Sequence, residues 1–134
     1  MKIKGVFIVI LTAMLLTSCN KQKVYDRYQH TPVAGWERND TLKFDDIERF
    51  KAAGDYATYL GLRINGYYPF MGLTLIIDKT TLPSHTVDSD TINCKLLDRH
   101  GNSQGIGGIS YYQYNMQLKN IRVAKGDSIV VSVR

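Results

Sequence analysis

The chain has 134 residues, with 17 basic side chains against 12 acidic ones and a formal net charge of +5. That length allows one domain of ordinary size. The charge is weak and scattered, which excludes the concentrated basic footprint of a nucleic-acid binder.

The first feature in chain order is a secretion signal. Lys2 and Lys4 form a positive n-region, Gly5 to Leu16 an apolar run, and Leu16-Thr17-Ser18-Cys19 reads as a lipobox. Twelve apolar residues at about 1.5 Å each span about 18 Å, short of a hydrocarbon core of about 30 Å. The run is therefore expected to be cleaved rather than to span a membrane. Cys19 then becomes the first residue of the mature chain, with lipid on its sulfur and its amino group. Two or more acyl chains hold firmly where one holds marginally, at about 0.8 kcal/mol per buried CH₂. Removal of Lys2 and Lys4 takes the net charge from +5 to +3. With Cys19 acylated, Cys94 has no partner for an intramolecular disulfide. The alternation around it predicts a buried, inert thiol.

Residues 19–24 read as the lipidated cysteine and a short polar tether, and 25–134 as a single domain. Period-2 alternation dominates that domain. Leu42 and Phe44 form one alternating set; Leu60, Leu62 and Ile64 a second; Leu73, Leu75 and Ile77 a third; Ile129, Val131 and Val133 a fourth. Turn formers bound these runs at Asn65-Gly66, Leu82-Pro83-Ser84, His100-Gly101-Asn102 and Lys125-Gly126-Asp127. Asp45 to Gly54 is the one stretch expected to make a short helix, with Ile47 and Phe50 inward. Trp36 is expected to pack in the core at the entrance to the Leu42–Phe44 strand. The fold class is all-β, an antiparallel β-sandwich of jelly-roll or immunoglobulin-like kind behind the cleaved signal peptide.

Five of the nine tyrosines lie in Tyr67-Tyr68-Pro69-Phe70 and Tyr111-Tyr112-Gln113-Tyr114. Most suit half-buried sheet positions, with the ring packed and the hydroxyl wet. Tyr67, Tyr68, Tyr111 and Tyr112 are the candidate contact surface.

Catalytic chemistry finds little support. His30, His85 and His100 lack metal-ligand companions at close spacing, so no metal site is expected. Ser110 lacks the second glycine of a nucleophile elbow. Gly105-Ile106-Gly107-Gly108 has no strand-turn-helix context for a phosphate loop. The expectation is a protein that is not an enzyme and carries no cofactor.

Asp40-Thr41-Leu42, Asp90-Thr91-Ile92 and Asp127-Ser128-Ile129 each read aspartate, hydroxyl, aliphatic. The tripeptide resembles the O-glycosylation signal of Bacteroidetes, which makes Thr41, Thr91 and Ser128 candidate acceptors at exposed strand starts. Each aspartate is expected in a turn.

Together these landmarks resemble the gliding-motility lipoprotein family of Bacteroidetes, GldH type. Val24-Tyr25-Asp26-Arg27-Tyr28 matches its opening after the lipidated cysteine, and Trp36 follows as the family's tryptophan does. Leu60-Gly61-Leu62-Arg63-Ile64-Asn65-Gly66-Tyr67-Tyr68-Pro69-Phe70 is the most specific match, and Gly101 to Gly108 sits where the family has a glycine-rich loop. The chain stops at Val133-Arg134 in mid-strand where the family continues, which predicts a truncated copy with an unpaired sheet edge. The resemblance implies a non-enzymatic envelope component that contacts other proteins of the gliding or secretion machinery. Asn20-Lys21-Gln22-Lys23 lacks an aspartate after the cysteine and an acidic cluster. That predicts an outer-membrane anchor with the domain facing the periplasm. The competing reading is a glycan-binding β-sandwich lipoprotein of a carbohydrate-uptake system. A structural envelope scaffold unrelated to motility is a third.

Overall fold

A computed structural model describes residues 23–134 of the chain. Nine strands follow in order: β1 (Leu42–Phe44), β2 (Gly54–Tyr56), β3 (Tyr59–Ile64), β4 (Gly72–Leu82), β5 (Thr86–Lys95), β6 (Ile106–Gly107), β7 (Tyr112–Gln117), β8 (Ile121–Val123) and β9 (Ser128–Val133). All pairings are antiparallel. They form a four-stranded sheet in the order β1-β9-β4-β5, a three-stranded sheet β3-β7-β6, and a two-stranded ribbon β2-β8.

Alternation explains which side chains meet. Along β4, Leu75 and Ile77 are buried and Thr74 is exposed, and Val133 of β9 joins them from beside Ile77. Leu60 and Leu62 of β3 pack on that cluster from the other sheet, with Leu118 and the half-buried Trp36. Cys94, Leu96 and Tyr114 make the adjoining part of the core, against Leu62, Ile64, Leu73 and Met116. Each buried aliphatic side chain of this kind contributes about 1.5–3 kcal/mol. The sandwich-like arrangement agrees with the class read from the sequence.

Two expectations are corrected. Asp45 to Gly54 forms no helix. Its backbone is tied outward instead: Phe50 N donates to Asp127 O at 2.8 Å, and Gly126 N donates to Phe50 O at 2.8 Å. Phe50 is still buried, against Ile121, Val123 and Ile129, with Ile47 beside it. Inward residues at i and i+3 suit a helix, but long-range pairing to the β8–β9 turn wins. The second correction concerns the last strand. β9 lies between β1 and β4, paired on both sides, so it leaves no unpaired edge. The sheet's edges are β1 and β5.

Candidate functional site

The outward face of β3 and β7 carries an aromatic and amide network. Alternation turns Leu60, Leu62 and Ile64 inward, so Gly61 and Arg63 face out, opposite Asn115 and Gln113 of β7. Tyr28, from the segment before β1, lies on this face. A Cβ at residue 61 would stand 2.6 Å from its hydroxyl, so glycine is what lets the ring approach. The Arg63 guanidinium sits 4.0 Å from the centre of the Tyr28 ring and 5.1 Å from that of Tyr111. Arg63 Nε donates to Gln113 Oε1 at 2.9 Å, and Gln113 Nε2 donates to the Tyr28 hydroxyl at 3.1 Å. Each exposed cation–π contact is worth about 0.5–1 kcal/mol. Upstream, Tyr25 donates to Asp46 Oδ1 at 2.6 Å and meets the Phe44 ring edge-on. Burial, with Asp46 as acceptor and nearby charge, pushes the Tyr25 hydroxyl up to about 12.

The pairing registers bring the tyrosine clusters together. Ile64 pairs with Tyr112 at the end of β3, and Gly72 pairs with Lys95 at the start of β4. The connections 65–71 and 108–111 therefore emerge at one end of the sandwich. Among the described residues, seven of the twelve exposed bulky apolar side chains lie there: Tyr67, Phe70, Met71, Ile106, Ile109, Tyr111 and Tyr112. That concentration makes a patch rather than the usual scatter. Tyr68 behaves differently. It is half-buried on the Cys94, Leu96 and Tyr114 cluster, edge-on to Phe70 at 5.5 Å, and burial raises its hydroxyl pKa. Asp98 is the only carboxylate in the connection between β5 and β6, residues 96–105. The N–H groups of Asn102 and His100 hold its carboxyl below the usual range.

A charge cluster built on a buried lysine and aspartate lies on β4 and β5 towards the other end of the sandwich. Lys79 is 2 % exposed, and its Nζ lies 2.8 Å from Asp90 Oδ2. It donates to Lys119 O at 2.7 Å and to Thr58 Oγ1 at 3.4 Å. Lys119 Nζ stands 3.9 Å from both Asp88 and Asp90 and donates to Ser89 O at 3.1 Å. Sequence reading missed this cluster. Its signal was phase: Lys79 continues the inward series Leu73, Leu75, Ile77, and Asp90 precedes Ile92 and Cys94 in theirs.

Cys19 and residues 1–18 lie outside the described residues. Thr41 is exposed just before β1, after a turn in which Glu37 N donates to Asp40 Oδ2 at 3.1 Å. Ser128 opens β9 half-buried, after a turn in which Ala124 N donates to Asp127 Oδ2 at 2.8 Å. Thr91 departs from expectation: it is exposed but sits within β5, and Asp90 is a buried ion-pair partner instead of a turn residue. The Trp36 indole is half-buried and donates to Asp40 O at 3.0 Å. Cys94 is buried, and burial pushes its thiol pKa up. Among the described residues no group of three His, Cys, Asp or Glu side chains is placed to hold a metal ion, and no helix is long and apolar enough to cross a membrane.

Comparison with known proteins adds three findings. The family profile described as GldH lipoprotein matches residues 23–134. The gliding motility lipoprotein GldH of Flavobacterium johnsoniae is 34% identical over 125 residues, covering 89% of this chain and 77% of that protein. A gliding motility lipoprotein GldH homolog of Christiangramia forsetii is 30% identical over 103 residues, covering 77% of this chain and 61% of that protein. No solved structure matches.

Proposed function

Since this chain belongs to the GldH lipoprotein family of gliding-motility lipoproteins, we propose that it serves the gliding machinery without catalysis, through contacts with other envelope proteins. In this reading residues 1–18 are removed, Cys19 carries the lipid, 19–24 form the tether, and 25–134 form the working domain. The anchor sits in the outer membrane with the domain in the periplasm. Thr41 is the favoured O-glycan acceptor, ahead of Thr91 and Ser128.

The observation that carries the contact reading is the patch of Tyr67, Phe70, Met71, Ile106, Ile109, Tyr111 and Tyr112 at one end of the sandwich. Its orientation supports a protein partner over the anchoring membrane. Tyr25 and Arg27 are held at Asp46, just past Phe44, whose partner Val131 also pairs with Lys79. Lys79 is seven strand steps from Gly72, roughly 23 Å from the patch end. Six residues from Cys19 to Tyr25 reach at most about 21 Å. A short leash leaving near the far end turns the patch away from the lipid. The half-buried Trp36, already donating to Asp40, supplies no stacking platform of the kind the glycan reading needs.

The test is site-specific photo-crosslinking in the native host. A benzophenone side chain at Tyr67 or Ile109 is expected to give adducts with envelope proteins, and one at Lys51, at the other end, to give none. Equal labelling at all three positions, or no adducts from Tyr67 and Ile109, overturns the contact reading.

A further inference from the structure

The flank between β5 and β7 is open. β5 is the outer strand of its sheet and pairs with β4 alone. β7 pairs with the short β6 only through Tyr112 and Gln113, so Tyr114 to Gln117 have no neighbour on that side. Between them runs a groove of about 380 Å³, lined by Ile92, Cys94 and Lys95 on one wall and by Gln113, Tyr114 and Met116 on the other. Two cross-ties close its ends. At one, Lys119 Nζ donates to Ser89 O at 3.1 Å. At the other, Gln104 N and the Tyr114 hydroxyl both donate to Leu96 O at 2.9 Å. Ser89 to Leu96 is seven strand steps, roughly 23 Å.

The Ser89 tie also fixes the phase of the edge. In an antiparallel ladder alternate residues turn both backbone groups to the same neighbour. The Ser89 carbonyl points to Lys119 on the flank, so Thr91, Asn93 and Lys95 direct their N–H and C=O groups there too. Leu96, in the other phase, donates back to Met71 O at 2.8 Å.

We infer that this flank receives an extended segment of a partner protein, added to β5 as a further strand. The segment carries apolar side chains at alternate positions and one carboxylate facing Lys95. Backbone chemistry selects a polypeptide, because only an extended chain repeats donor and acceptor every two residues along the edge. The floor of buried Cys94 and Tyr114, with Ile92 and Met116 at the sides, selects apolar side chains on the inward face. Charge selects the rest. Lys95 is the only charged residue lining the groove, and among the described residues it has no ion pair within 4.0 Å. The two ties limit the added strand to about six residues. A second copy of β5 fits less well, since its carboxylates, Asp88 and Asp90, stand in the inward phase and not in the phase of Lys95. This inference rests on the reading that the protein works by contacts, and adds a second contact that starts beside the aromatic end, where Ile106 lines the groove, and runs along β5 away from it.

The test puts the benzophenone side chain at Thr91, Asn93 or Lys95, one at a time, in the full chain in its native host, with cross-linked peptides mapped by mass spectrometry. The expected result is register: each two-residue move along β5 shifts the cross-linked partner residue by two, always in the same direction. In Asn93→Pro, which removes an N–H facing the flank and leaves the β4 ladder intact, the adduct from position 95 is expected to fall at least tenfold. Lys95→Glu, a change at an exposed side chain, is expected to cut the adduct from position 93 by a similar factor. Adducts scattered without register, adducts with a second copy of this chain, or adducts unchanged in both variants overturn the inference. So does an absence of adducts along β5 while Tyr67 and Ile109 still cross-link, which leaves the contact reading standing. Silence at all five positions overturns both.

Discussion

Lys79 Nζ lies 2.8 Å from Asp90 Oδ2 although the two residues are not ladder partners: Lys79 stands opposite Asp88, and Asp90 opposite Ile77. The diagonal places both charges inside the sandwich, at 2 % and 9 % side-chain exposure. The contact is an ion pair and not a directed hydrogen bond, since Asp90 Oδ2 has no well-aimed donor. Removing Asp90 leaves the buried Lys79 only the longer contact with Asp88 Oδ2 at 3.8 Å. Asp90→Ala is therefore expected to cost up to about 3–5 kcal/mol in a urea titration, whereas Lys79→Met with Asp90→Leu is expected to fall near wild type. A double variant as unstable as the single one contradicts this.

Burial keeps the Cys94 thiol protonated to higher pH than usual. The thiolate is the reactive form. In the folded protein at pH 8, labelling by Ellman's reagent is therefore expected to be at least tenfold slower than in urea. Equal rates would mean that the floor of the β5–β7 groove is open to solvent.

Tyr25 supplies a pH dependence with a fixed sign. Its folded-state pKa is about 12, against an ordinary value of 10.0. A raised value means that the folded state keeps the proton longer. The stability it contributes is therefore complete below pH 10 and lost as pH rises from 10 towards 12. Absorbance titration at 295 nm is expected to show a late tyrosine that Tyr25→Phe removes. The difference in thermal midpoint between wild type and Tyr25→Phe is expected to narrow across that window.

Gly61 keeps the outer face clear for Tyr28. An alanine Cβ at 2.6 Å from the Tyr28 hydroxyl displaces the ring and loosens the stack on Arg63. The cost falls on a movable side chain, so global stability is expected to change by under about 0.5 kcal/mol. Trypsin cleavage after Arg27 is expected to accelerate several-fold in Gly61→Ala. Unchanged cleavage would detach the Tyr28 stack from the order of the leading segment.

The three candidate glycan acceptors separate by access. Thr41 is exposed ahead of β1, whereas Ser128 is half-buried opposite Leu82 and Thr91 lies within an edge strand. Intact mass from the native host is expected to exceed the lipidated chain by a glycan unit that Thr41→Ala removes and Ser128→Ala leaves. A mass showing lipid alone would reduce the tripeptides to turn and strand chemistry.

The sequence was most legible where one face of a strand is apolar. Leu60, Leu62 and Ile64, Leu73, Leu75 and Ile77, and Ile129, Val131 and Val133 all fall on the strands their alternation predicts. Asn65-Gly66 and Lys125-Gly126-Asp127 fall in the connections between them. Asp45 to Gly54 reads as a helix because Ile47 and Phe50 satisfy a helical spacing, yet the Phe50 backbone is spent on Asp127 and Gly126, about 75 residues downstream. Trp36 reaches the core but remains half-buried, since its indole N–H needs the Asp40 carbonyl at the surface. The tyrosine clusters were visible as clusters. Their meeting at one end depends on which strands pair, and that is a long-range property no local pattern carries. Lys79 was hidden for a chemical reason: a lysine in an apolar phase reads as a surface residue until its partner is seen.

The place of β9 between β1 and β4 has a consequence for how the protein is made. Leu42 meets Val133, near the opposite end of the described chain, and Ile77 meets the same valine from the other side. Contacts of such sequence separation form late, because the intervening chain must first be ordered. A chain made from its N-terminus therefore holds β1 and β4 apart, each with a bare edge, until β9 is available. Such edges invite mispairing with other chains. The main sheet closes only once β9 is available, and until then the domain depends on being shielded from its neighbours.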